Sequence, residues 1–271
     1  MIIMIYKLRI KEKRILISMI SLLLLLYVTW FFESEFAEVM FFMDYDAEDL
    51  APNAKSILLD SILTWERYID SSMRYIINFF PMFSVFPALH FLQERKSYFV
   101  LGAHRFNNYK KSIVNSIIMY SLIGGFVISI SFTVFFLLGN LFLKASITNI
   151  GGFAMIFPDG FYAQNPCLFF LFMAWTIYFL IGFVFALLTC GLALFLDKEI
   201  YISIATFVIY IGLSFLGQMF DFLPFKISES VCAFNTLYST VEIFVPAISI
   251  LIFDIVLVGV GVFKRGKFVD A

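Results

Sequence analysis

The feature that most constrains this chain is the recurrence of apolar runs close to the length a helix needs to cross a bilayer core, about twenty residues. They fall at Ile15–Phe32, Tyr75–Leu92, Ile113–Leu143, Cys167–Leu196, Ile200–Phe220 and Ile243–Phe263. Charged residues make up only 14% of the sequence and hydrophobic ones 62%, whereas a soluble domain carries about 25% charge. In lipid a helix satisfies its own backbone hydrogen bonds. The expectation is therefore an all-α integral membrane protein, a single transmembrane domain over residues 1–271. The third and fourth runs exceed the hydrocarbon thickness and must tilt, kink or protrude. Gly124-Gly125 and the prolines Pro81 and Pro87 are the candidate bends.

Lysine and arginine placement sets the direction of insertion. Five precede the first run (Lys7, Arg9, Lys11, Lys13, Arg14) and five separate the second from the third (Arg95, Lys96, Arg105, Lys110, Lys111). Lys198 lies between the fourth and fifth, and Lys264, Arg265 and Lys267 close the chain. That places fourteen of the nineteen on one side, leaving Lys55, Arg67, Arg74, Lys144 and Lys226 on the other. Six spans with both termini in the cytoplasm satisfy this count, in a cell (plasma) membrane. The basic start outlines a signal peptide, but Ile15–Phe32 is longer than a signal core of about 7–15 residues and no A-x-A-like site follows. It is read as a retained first span.

The first outer loop, Glu33–Arg74, is strongly acidic. Its second half spaces Ile57, Leu58, Ser61, Ile62, Trp65, Ile69 and Met73 as one face of an amphipathic helix, along the outer interface or the bundle. The stretch DYDAED lacks the glycine and the twelfth-position Glu of a calcium loop, so it reads as solvated acid. Cys167, Cys190 and Cys232 have no CxxC spacing. Cys167 and Cys232 share the outer side, but buried free thiols are the favoured reading. His90 and His104 are the only histidines, so a metal site is not expected. No internal repeat is evident.

The link from Gln93 to Ser112, QERKSYFVLGAHRFNNYKKS, is far longer than the ordinary connection of about 2–8 residues between packed helices. Tyr98, Phe99, Leu101, Phe106 and Tyr109 interleave with Arg95, Lys96, His104, Arg105 and Lys110. A short helix, a bend at Gly102 and a second short helix are expected. Such a segment suits either headgroup anchoring or docking of a cytoplasmic partner.

The plan resembles the membrane subunit of ABC-2 type ATP-binding-cassette exporters. The stretch YKLRIKEKR is similar to that family's basic interfacial helix before span one, which implies a cytoplasmic interfacial helix over residues 1–14. HRFNNYKKSIVNS resembles its coupling segment, with Arg105, Tyr109, Lys110 and Lys111, and Asn115 inside span three. QMFDFLPFKISESVCAFNTLYSTVE, broken at Pro224, resembles its re-entrant outer segment before the last span. The acidic first outer loop is longer than in the simplest members. The resemblance implies a bacterial permease without an ATP site, moved by cytoplasmic ATPase subunits that hold ATP and Mg. Its coupling residues would be Glu94, Arg95, Lys96, Phe99, His104, Arg105, Tyr109 and Lys110. A second permease copy, identical or a sister chain, would complete the path. Lipid is a further partner and nucleic acid is not. No G-x-x-x-x-G-K-[ST] loop occurs, consistent with an ATPase on another chain.

Asp254, in ISILIFDIVLVGV, is the ionisable residue nearest the middle of a span. A charge there costs about 2.5–3.5 kcal/mol on the insertion scale. It reads either as a path or gating residue or as one end of a buried interhelical hydrogen bond. The favoured function is export of an amphipathic peptide, drug or lipid-like cargo. The alternative is a secondary transporter or channel with Asp254 in its path. An intramembrane enzyme would need a nucleophile, paired aspartates or a metal set, and none is evident.

Overall fold

In the computed structural model, which describes residues 13–45, 51, 53–100, 108–235 and 238–267, the apolar runs become helices. Among the described residues, Lys13–Glu33, Tyr109–Gly139, Pro166–Leu192, Glu199–Met219 and Glu242–Lys264 are long and apolar enough to cross a membrane. Trp65–Phe79 and Met82–Phe99 add a sixth if they form one span, bent by 50° at the break between them. We number these helices one to six in chain order, the bent pair being helix two. No β-strand occurs among the described residues; Thr64 and Lys144 form an isolated bridge.

The outward faces of these helices are apolar, unlike those of a soluble protein. Helix five buries Ile202, Thr206, Tyr210, Ser214 and Gly217, a seam at three- and four-residue spacing. Its exposed side carries Ile204, Val208, Ile211 and Phe215. Helix one buries Ser18, Leu22, Leu26, Thr29 and Trp30 and exposes Leu16, Ile17, Leu24, Val28 and Phe32. Hydrocarbon on the outer face, with a few hydroxyls and small residues turned in among the apolar core, is the arrangement expected where the solvent is lipid.

Helices three and four form the central pair. A Cβ added at Gly124 would lie 2.4 Å from Ala186 Cβ, and one at Gly182 would lie 3.1 Å from Gly124 O. Small residues let the two backbones approach, which drives association where lipid removes the hydrophobic incentive. Helix three runs unbroken through Gly124 and Gly125. The glycine pair therefore serves close approach, and not the bend expected from sequence. Helix three also begins at Tyr109, four residues before Ile113, because the Asn108 side chain accepts the Lys111 N–H at 3.0 Å and caps it.

Pro81 marks the 50° bend. Helix two breaks at Phe80–Pro81, and Pro87 lies inside the short helix Met82–Ala88. Proline supplies no N–H and ends the preceding turn. The amphipathic stretch of the acidic loop forms two helices and not one, Ala54–Ile62 and Trp65–Phe79. They separate at Leu63–Thr64, where Trp65 N–H donates to Lys144 O and Lys144 N–H to Leu63 O. The first is largely exposed, while Trp65, Tyr68, Ile69, Met73 and Ile76 of the second are buried against the bundle. The second thus passes straight through the expected loop–span boundary at Arg74.

Between helices five and six the chain folds inward. After the turn Leu223–Phe225, the helix Ile227–Val231 buries Ile227, Ser230 and Val231. Ser230 Oγ donates to Ile243 O at 2.7 Å, and the segment packs on helix four at Ala174–Tyr178. Lys226 Nζ donates to Asp221 at 2.5 Å and to Tyr238 Oη at 2.7 Å. Cys167, Cys190 and Cys232 are free thiols.

Candidate functional site

Two places gather the residues singled out from the sequence. The first is one end of the bundle, where helix two extends through the turns of Arg95–Phe99. Arg95 is buried. Its guanidinium donates to the carbonyls of Ala193 and Leu196 and to the carboxylate of Asp197. Those carbonyls follow helix four at Leu192, where the last turn leaves acceptors without helical partners and a cation is favoured. Lys96 Nζ donates to the carbonyl of Asp197. Gln93 Nε2 donates to Glu199 at 2.9 Å, and Arg14 pairs with the same carboxylate at 3.4 Å. The helix four–five turn is thereby fastened to helices one and two.

Phe99 is buried in the same cluster as Phe91, Ile117 and Tyr120. Its ring meets that of Tyr109 at 6.1 Å, edge to face. The two described ends of the connector are thus held together. Lys96, Ser97, Tyr98 and Val100 are exposed on one side of this stem and Asn108, Lys110 and Lys111 on the other. Glu94 and Tyr109 are half-buried. His104, Arg105 and the bend at Gly102 lie outside the described residues, as does most of the expected interfacial helix over residues 1–14.

The second place is Asp254, fully buried near the middle of helix six. Neither carboxyl oxygen has a hydrogen-bond partner among the described residues. Helix six packs on helix four here, and a Cβ added at Gly191 would lie 2.9 Å from Leu257, one turn beyond Asp254. Cys190 of helix four is buried and directs its thiol at the carbonyl of Ala88, at 3.9 Å. The interhelical hydrogen bond considered from sequence is not formed.

The opposite end holds a polar site that sequence reasoning missed. Glu66 accepts from Ser146 N–H at 3.1 Å, Ser146 Oγ at 2.9 Å and Tyr162 Oη at 2.9 Å. Burial, and next the Glu66 charge, push the Tyr162 phenol above its usual range, so it remains a donor. Glu35–Arg67 and Glu33–Arg74, each at 2.7 Å, tie the end of helix one to helix two. These residues line a cavity of about 500 Å³ with Asp70, Ile150 and Phe234. Asp197 and Glu199 were missed too; their signal was two acids in a short turn facing a basic connector.

No protein-family model matches the chain, and no curated protein or solved structure matches it either. Its function rests on its own geometry.

Proposed function

We propose that this chain is the permease subunit of an ABC-2 type exporter. It crosses a plasma membrane six times, with both termini and the Arg95 end in the cytoplasm. Two copies, identical or paired with a sister chain, line a path for an amphipathic peptide, drug or lipid-like cargo. ATP and Mg are held by a separate cytoplasmic ATPase. The observation that carries the reading is the connector. Arg95 and Phe99 turn inward and fasten it to helices four and three, while Lys96, Tyr98 and Lys110 remain exposed. A subunit pushing on those exposed groups moves several helices together, as rigid-body switching requires. The inward fold at Leu223–Val231 supports the same reading, as a re-entrant outer segment. The basic residues clustered at the Arg95 end support the direction of insertion.

The test is co-purification with an ATPase carrying a phosphate-binding loop. Lys96→Glu combined with Lys110→Glu is expected to abolish association while leaving insertion intact. Retained association removes the docking role.

A second reading, a secondary transporter or channel with Asp254 in its path, draws support from the orphaned carboxyl group. It requires transport driven by an ion gradient without an ATPase.

A further inference from the structure

Asp254 is an unusual carboxyl group. It is wholly buried, and no donor reaches either oxygen among the described residues. Unpaired ions are not kept in apolar surroundings; they are neutralised or given a partner. The elements packed on helix six are helix four, helix three and the Leu223–Val231 segment. Helix four brings Cys190, which carries no compensating positive charge. Lys226, the basic residue of the Leu223–Val231 segment, is engaged by Asp221, Glu229 and Tyr238. Lys110 and Lys111 of helix three lie in its first turn. Among the described residues no positive side chain of these elements is paired with Asp254.

The size of the ligand that would fit is limited. Neither the cavity beside Glu66 nor the apolar groove between helices five and six is lined by Asp254. A metal cation would need several oxygen ligands, and among the described residues no cluster of three or more His, Cys, Asp or Glu surrounds Asp254. A proton needs neither space nor further ligands. We propose that Asp254 is a reversible proton-binding site. The reaction is simple: the carboxylate takes up one proton and becomes the acid, and releases it again. The inference does not rest on either reading of transport, because a proton can occupy Asp254 in a chain that couples it to nothing.

Infrared difference spectroscopy of the full chain in lipid nanodiscs tests it. The probe is the carbonyl stretch of a protonated carboxylic acid, titrated from acid to alkaline pH. The wild type is expected to show a band that Asp254→Asn removes, Asp254→Glu retains at a shifted position, and alkali abolishes reversibly. If Asp254→Asn fails to fold, the Asp254→Glu shift alone assigns the band. In heavy water the band moves as the proton exchanges. Absence of the band at every pH would overturn the site. A band that never titrates would overturn reversibility.

Discussion

Arg95 at the end of helix two donates to the carboxylate of Asp197, 102 residues further along the chain. The bond joins the connector to the helix four–five turn. It also explains why a basic residue in an apparently solvated link is buried: helix four offers it spare carbonyls.

Removing Arg95 strands those carbonyls. Arg95→Ala is expected to destabilise the chain by about 1–3 kcal/mol, the cost of orphaned buried polar groups. Arg95→Lys should not rescue it, because one ammonium cannot span the fork. Asp197→Ala should cost less, since it removes one acceptor of three. Thermal unfolding in detergent across the double-mutant cycle checks the order.

The helix three–four seam tolerates no side chain at Gly124. Gly124→Leu must displace Ala186 or the helix four backbone, and overpacking of this kind costs about 1–3 kcal/mol. A lowered unfolding midpoint is expected. Gly212→Leu is the control, because nothing lies within 4 Å of a Cβ added there; its midpoint should be unchanged.

Glu66 organises the loop that follows helix three. Glu66→Gln replaces one acceptor oxygen with a donor facing the Ser146 and Ile147 N–H groups. Bonds to charged groups contribute about 1.5–3 kcal/mol each. Hydrogen exchange at Ser146 and Ile147 is expected to accelerate strongly in Glu66→Gln and mildly in Tyr162→Phe.

The Lys226–Asp221 pair sets a pH window for the inward fold. The Lys226 hydrogen bond holds the Asp221 carboxyl below its usual range, and the Asp221 bond holds the Lys226 ammonium above its own. The Asp221 contribution is present above its unfolded pKa and is lost as pH falls through the lowered folded value. The Lys226 contribution is present below its unfolded pKa and is lost as pH rises through the raised folded value. Proteolytic protection of residues 221–238 should therefore hold through neutral pH and fail first in strong acid. Asp221→Asn should abolish the acid transition.

The long helices were legible because lipid-facing apolar runs are a coarse signal that needs no partner. Pro81 was legible as a bend because proline acts through its own backbone. Gly124 and Gly125 were misread, since a bend and a close approach call for the same residue and only helix four decides between them. The break at Leu63–Thr64 was hidden because it depends on Lys144, far along the chain. Asp254 stood out by charge alone, but its lack of a partner is a property of three packed elements. Arg95 was picked for its charge, while its inward direction depends on carbonyls that sequence does not display.

The central claim is that an ATPase docks on the exposed side of the connector. A photo-crosslinking residue placed at Tyr98 in membranes of the native cell tests it most directly. The account predicts capture of a protein whose sequence carries a phosphate-binding loop, and no such capture from buried Phe99. Failure to capture an ATPase from Tyr98, Lys96 or Lys110, in a chain that still inserts and folds, would contradict it.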